Sequence, residues 1–304
     1  MMMTIGLAAG VMLALAVCIT LILGWANKAL HVEVDARIDA INEALPGANC
    51  GGCGFIGCGD YAEAVVDSGA DVTLCPVGGS TLADKIAAIM GVTVEQTCPY
   101  RPVVHCAAHY SDKLGKHHYD SEATCTAANL VGGVQGCTYG CLGFGDCVTS
   151  CNFDAIAVVD GKVEVDYDAC VGCGACDKIC PRNVIHMVPF KASQMWVVAC
   201  SNADFGKDVK AVCKAGCMGC KLCEKFAEGI FEMDGHVAKI NYENYEPETI
   251  REAMELVVKK CPTKAIVEVG TPTEADLEAV KDEELPAVIT ANFETTVDKT
   301  EWQG

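Results

Sequence analysis

The sequence predicts an α+β chain: small cysteine-pinned units behind an N-terminal transmembrane helix. Three observations predict it. Ile5 to Ala26 carries no charge, only 6% of residues are aromatic against 30 glycines and 22 cysteines, and from about Cys98 cysteine-rich loops alternate with short hairpins. With so little aromatic burial the cores are small, and something besides packing must hold the chain together. The cysteines are the candidates. Disulfide-rich chains are usually short and secreted, and nothing here resembles a cleavable signal peptide. Zinc also binds Cys-x-x-Cys pairs, so such pairs alone leave the metal open.

In chain order, residues 1–28 read as a membrane anchor. The uncharged run, at about 1.5 Å rise per residue, spans roughly 33 Å, the depth of a bilayer core. Gly6, Gly10 and Ala14 share one helix face on which another helix could pack closely. Lys28 and Arg37 follow the span and no Lys or Arg precedes it, which places the body of the chain in the cytoplasm, on the inner side of a single-pass anchor. Residues 29–97 form a small helical unit. Val34, Ile38, Ile41 and Leu45 recur at helical spacing before Pro46-Gly47, and two short helices flank Cys75, the second over about Ser80 to Met90. Residues 98–270 form a multi-loop region, with one unit at about 130–190 and another at about 213–270. Asp160-Gly161 and Asp234-Gly235 stand between alternating apolar runs and predict tight hairpins. Pro247 opens a helix to about Lys260 with Ile250, Met254, Val257 and Val258 on one face. Residues 271–304, with nine acids against two lysines, read as a solvated tail.

The spacing of the cysteines decides the chemistry. A [4Fe–4S] cube needs four thiolates, commonly three from one short loop and a fourth from further along the chain. Cys170-Val-Gly-Cys173-Gly-Ala-Cys176-Asp-Lys-Ile-Cys180-Pro181 is the bacterial ferredoxin run in full, in which the fourth cysteine ligates the neighbouring cluster. Its partner loop is Cys137, Cys141, Cys147 and Cys151, whose spacing departs from the standard and in which Asn152 replaces the usual proline. We therefore expect one cube on Cys151, Cys170, Cys173 and Cys176, and its neighbour on Cys137, Cys141, Cys147 and Cys180. A third set is Cys217, Cys220 and Cys223 with Cys261-Pro262 as the distant ligand, like a single-cluster ferredoxin. A fourth is Cys50, Cys53, Cys58 and Cys75. Four [4Fe–4S] clusters follow from these loops.

A weak internal repeat suggests a fifth. Val103-Val-His-Cys106 leads to Gly115-Lys116 and Cys125, and Val197-Val-Ala-Cys200 leads to Gly206-Lys207 and Cys213. Two such half-sites could close around one more cube on Cys106, Cys125, Cys200 and Cys213. Cys98 is unplaced and could replace one of these four, and Cys18 sits inside the anchor as a small apolar residue. His105, His117 and His118 have no partner at ligand spacing and read as ordinary loop histidines. There is no phosphate-binding loop, nucleophile elbow or paired-carboxylate signature, so the chain does no bond-making chemistry on its own. The net charge of −19 excludes a nucleic-acid partner.

The N-terminal helix, the Cys50-Gly-Gly-Cys53-Gly-x-x-Gly-Cys58…Cys75-Pro-x-Gly-Gly segment and the loops after it resemble the B subunit of the Rnf-type ion-translocating oxidoreductase complex, in its longer, cluster-rich form. A similar four-cysteine domain occurs in corrinoid proteins, and the membrane helix favours the Rnf resemblance. The resemblance implies an electron-relay component of a membrane complex that moves electrons between reduced ferredoxin and NAD while translocating sodium or protons. It implies soluble ferredoxin as donor, with the nicotinamide and flavin sites on other membrane and NAD-binding subunits. An acidic ferredoxin meeting a −19 protein needs a local positive surface. Lys207, Lys210, Lys214, Lys221 and Lys225 lie in a stretch, 191–225, that holds only three acids, and form the expected docking patch.

Overall fold

A computed structural model describes residues 2–29, 35–94, 98–115, 117 and 119–271. The acidic tail past Thr271, and also Val34, Lys116 and His118, lie outside the described residues. Helix α1 runs unbroken over Met2–Ala29, with Lys28 in its last turn. Its described apolar side chains, among them Leu13, Leu21, Ile22 and Trp25, are exposed. Several others lie outside the described residues, and among those described no helix is long and apolar enough to cross a membrane.

The helical unit follows. Asp35 caps α2 (Ala36–Ala44) by accepting from the Arg37 N–H at 2.8 Å, the usual service of an N-cap carboxylate. Helix α2 packs on α3 (Cys58–Asp67) and α4 (Gly79–Met90), the latter closed by left-handed Gly91. Ile41, Tyr61, Val65, Leu82 and Ile86 form their shared core, with Cys53, Cys58 and Cys75 packed on it.

Beyond it come four two-stranded antiparallel sheets. The strands are β1 (Tyr100–Val104), β2 (Ile156–Val159), β3 (Lys162–Val165), β4 (Ile185–Pro189), β5 (Gln194–Val198), β6 (Phe231–Asp234), β7 (Val237–Ile240) and β8 (Ile266–Gly270). Between them lie short helices α5 (Cys125–Leu130), α6 (Asp146–Thr149), α7 (Ala175–Ile179), α8 (Gly206–Val212) and α9 (Leu222–Phe226), and the longer α10 (Pro247–Lys260). The β2–β3 hairpin turns on Asp160 and Gly161, both at positive φ, as a tight right-twisting turn requires. The β6–β7 hairpin differs from the expected Asp-Gly turn by one residue: Asp234 pairs Val237, so Gly235-His236 makes the turn. That register sets Phe231 opposite Ile240, both buried.

The other two pairings are long-range and have no local signal. Strand β1 pairs β4, and β5 pairs β8, so each multi-loop unit is closed by strands from its two ends. The units are then joined through an isolated bridge between Cys106 and Cys200, continued by the Ala107 N–H donating to the Ala199 carbonyl at 3.0 Å.

Candidate metal centres

Three of the short helices start the same way. Gly145, Gly174 and Lys221 stand before α6, α7 and α9 in the left-handed conformation, and each helix carries a cysteine at its second position, Cys147, Cys176 and Cys223. At Cys176 and Cys223 the backbone N–H groups of Asp177 and Glu224 donate to the thiol from the first turn. Glycine takes that conformation at no cost, and Lys221 holds it at φ 59°.

Four clefts open to solvent each have four cysteines on their walls. Site B is lined by Cys151, Cys170, Cys173 and Cys176. Site E is lined by Cys217, Cys220, Cys223 and Cys261. The two between them differ from the expected grouping. Site C gathers Cys125, Cys141, Cys147 and Cys180, and site D gathers Cys106, Cys137, Cys200 and Cys213, so Cys125 and Cys137 exchange places.

The reason is Asp146. Its Oδ1 accepts from the Cys125 N–H at 2.6 Å, and its Oδ2 accepts from the Thr126 N–H at 2.9 Å and hydroxyl at 2.7 Å. The carboxylate at the start of α6 thus draws the start of α5 onto Cys147. Cys137 faces the other way, where Asn202 donates to its sulfur at 3.4 Å. Site A is the fourth sequence set: Cys53, Cys58 and Cys75 pack together, and Asn49, next to Cys50, accepts from the Cys58 N–H at 2.8 Å.

Two cysteines stand apart. Cys18 is exposed on α1, and Cys98 is exposed on a space also lined by Cys75 and Cys173, away from site D. His105 is half-buried, its Nδ1 is 2.7 Å from the Val198 carbonyl and its ring lies beside His186, and loss of solvent lowers its pKa.

The thiols suit a polynuclear group. Each of the four clefts is ringed by four thiols, the donor set that a [4Fe–4S] cube needs. Burial pushes the thiols of Cys141, Cys176 and Cys200 up to about 12 and of Cys223 to about 11. Such thiols keep their protons unless a metal displaces them. At the wall of site C the Arg182 Nε is sealed from solvent with no hydrogen-bond partner, a donor facing the cysteine void. The Cys217 N–H already donates to the Cys200 sulfur at 3.2 Å, the contact that tunes cluster sulfurs.

Neighbouring sites touch in sequence A–B–C–D–E. A Cβ on Gly52, in the site A loop, would meet the Cys173 carbonyl oxygen of site B at 3.1 Å. Cys176 of site B, Cys141 and Cys147 of site C and Cys106 of site D lie in one buried cluster. Cys106 of site D adds to burial in raising Cys141 of site C. The Cys200–Cys217 contact joins D to E. Cys220 is the one exposed cysteine among the twenty in these five sets. Lys207, Lys210, Lys214, Lys221 and Lys225 lie in the segment that carries it, and all five are exposed.

Residues with no sequence signal also shape these sites. Lys113, Asp146, Arg182 and Asn202 contact the cysteine loops only because distant segments meet there. The sole hint was that Arg182 directly follows Cys180-Pro181.

Comparison with known proteins finds three iron–sulfur modules in the chain. An Fe-S cluster family matches residues 45–77, a 4Fe-4S binding domain 163–186, and a 4Fe-4S single cluster domain of Ferredoxin I 212–267. The chain is 38% identical over 265 residues to the B subunit of the ion-translocating oxidoreductase complex of Methanosarcina acetivorans, covering 86% of this chain and 94% of that protein. It is 35% identical over 254 residues to the B subunit of the Na(+)-translocating ferredoxin:NAD(+) oxidoreductase complex of Acetobacterium woodii, covering 82% and 74%. To the B subunit of the proton-translocating ferredoxin:NAD(+) oxidoreductase complex of Clostridium ljungdahlii it is 35% identical over 200 residues, covering 65% and 70%.

Proposed function

The chain belongs to the B-subunit family of ion-translocating oxidoreductase complexes, and from that premise we propose that it relays electrons from reduced ferredoxin through five [4Fe–4S] sites toward membrane-bound and NAD-binding partners. The observation that carries this reading is the unbroken row of cysteine sites, each touching the next. Sites A and E would be held by Cys50, Cys53, Cys58 and Cys75, and by Cys217, Cys220, Cys223 and Cys261. Site B would be held by Cys151, Cys170, Cys173 and Cys176, site C by Cys125, Cys141, Cys147 and Cys180, and site D by Cys106, Cys137, Cys200 and Cys213. The clusters, when bound, supply one-electron carriage at low potential. The protein's part is to hold them close, turn N–H groups to their sulfurs and keep water from the inner sites.

Exposure and charge favour ferredoxin docking at site E, where Cys220 meets solvent among lysines. Site A lies at the other end, on the unit that follows α1. We read α1, apolar along its length and flanked by Lys28, as the single-pass anchor of a body on the cytoplasmic side of the inner membrane. What supports this reading is the uncharged run Ile5–Ala26 of the sequence, part of whose side chains lie outside the described residues.

Iron and sulfide counting on anaerobically purified protein tests the reading. About twenty of each per chain is expected for five cubes, and a colourless, iron-free sample overturns it. Lys210, Lys214 and Lys221 changed together to Glu should slow electron uptake from reduced ferredoxin roughly tenfold or more at low salt and flatten its salt dependence. Unchanged kinetics would remove site E as the docking end.

A further inference from the structure

Two cations are set among the inner sites of this strongly acidic chain. Lys113 is 5% exposed, and its Nζ donates to the Cys141 carbonyl at 2.7 Å and the Gly161 carbonyl at 2.8 Å. Its own backbone is bridged to Cys213, so it reaches from site D into the loop of site C. Arg182 stands on the other side. It lines the site C void, donates to the Thr138 and Cys137 carbonyls of the site D loop, and keeps its sealed Nε without an acceptor.

Neither cation pairs with a carboxylate among the described residues. Lys113 also lies 5.5 Å from the Tyr110 ring centroid, but carbonyl and ring contacts bring no counter-charge, and a charge drawn out of water needs one. With clusters bound, the thiolate-ligated cubes of sites C and D would be the anionic neighbours on hand. Cys137, Cys125, Cys141 and Cys180 all act on the Arg182 guanidinium, opposing the larger effect of burial. No such buried cation borders site E, where Lys221 is exposed.

Resting on the cluster reading above, we propose that Lys113 and Arg182 are positioning residues that raise the reduction potentials of the two inner centres, C and D, above those they would otherwise have. A fixed positive charge in a low-dielectric site favours the reduced, more negative form of a neighbouring cluster. The middle of the row then holds an electron more readily than a row built without these cations. Since the two cations bracket both sites, each affects both centres, with Lys113 acting more on C through Cys141.

EPR-monitored redox titration of the full-length, cluster-loaded protein tests this, with iron content measured on each sample. Lys113→Gln and Arg182→Gln keep donors but remove charge, and Lys113→Arg and Arg182→Lys keep charge. Each Gln variant should shift at least one inner midpoint downward by a tenfold or greater change in the reduction equilibrium, about 59 mV for one electron. The charge-keeping variants should stay near wild type, and the double Gln variant should shift furthest. Gln variants with full iron and unmoved midpoints overturn the proposal. If Gln variants lose iron, the charge-keeping pair decides: retained iron and potentials support a charge role, and loss there too shows a packing role and overturns it. Wild-type protein without iron would refute the cluster reading itself, a separate outcome.

Discussion

Asp146 holds Cys125 at site C, and its removal should loosen that site alone. Asp146→Ala deletes three hydrogen bonds to an ionised carboxylate, at 2.6, 2.9 and 2.7 Å. Each such bond is worth about 1.5–3 kcal/mol when formed to a charged group. Part of this is recovered, because the freed groups lie near the start of α5, within reach of water, and the carboxylate is itself partly solvated. We therefore take roughly 2 kcal/mol for the whole clamp. That is about a thirtyfold increase in local opening of the Cys125 arm, an opening that need not unfold the rest. The assay is iron release from anaerobic protein to an excess of ferrous chelator. About four of about twenty irons should leave roughly thirtyfold faster in the variant, with the others unchanged. Burial raises the Asp146 pKa, but the bonds from Thr126 and Cys125 outweigh it and hold the carboxyl below its usual range. A depressed folded pKa contributes stability that is complete above the unfolded value of about 3.9 and is lost as pH falls through the lower folded value. The ratio of variant to wild-type release should therefore be flat from about pH 6 to 8 and shrink only below about pH 4. Equal release rates at neutral pH would refute the clamp.

The exchanged pair gives a sharper test of grouping. Cys125→Ser should remove the same EPR signal as Cys147→Ser, and Cys137→Ser the same signal as Cys213→Ser, while coincidence of Cys125→Ser with Cys213→Ser would refute the site C assignment. Gly172→Ala forces a Cβ against the Tyr100 carbonyl oxygen at a residue with φ of 75°, and should cost about 3 kcal/mol or more from strain and overpacking. A lowered thermal midpoint with reduced iron at site B checks it, and an unchanged midpoint counts against the close packing. Deleting residues 1–29 should move the protein from the membrane to the soluble fraction with its iron retained, and continued membrane retention in isolation from partners would count against α1 as the anchor.

Much of the local architecture was readable because local chemistry decides it. Pro247, the Asp160-Gly161 pair and the Gly79–Met90 pattern act within a few residues of themselves, and the structure has a helix, a hairpin and a helix there. At sites B and E the spacing and the cleft lining group the same cysteines: three come from one short loop, and at site E the fourth is marked by Pro262. Sites C and D lack that. Cys125 and Cys137 are both plausible thiols at irregular spacing, and the internal repeat assigned Cys125 by analogy with Cys213. Which void each reaches depends on a carboxylate twenty-one residues away, Asp146, and no spacing rule contains that. The β1–β4 and β5–β8 pairings were hidden because their partners lie far apart in sequence and neither strand has a neighbouring turn to announce it. In the second hairpin the Asp-Gly signal was real but core burial of Phe231 and Ile240 overrode it by one residue.

The interleaving of sites C and D has a consequence for biosynthesis. On the five-site proposal, site A would be complete once Cys75 has left the ribosome, and that unit could receive its cluster while the rest is still being made. Cys137 of site D lies between Cys125 and Cys141 of site C, and site D waits for Cys213. Translation at about 5–20 residues per second leaves the C and D thiols waiting for several seconds as open, oxidisable half-sites. The middle of the row is therefore the segment that most needs a protective escort, or iron delivery timed to the end of synthesis.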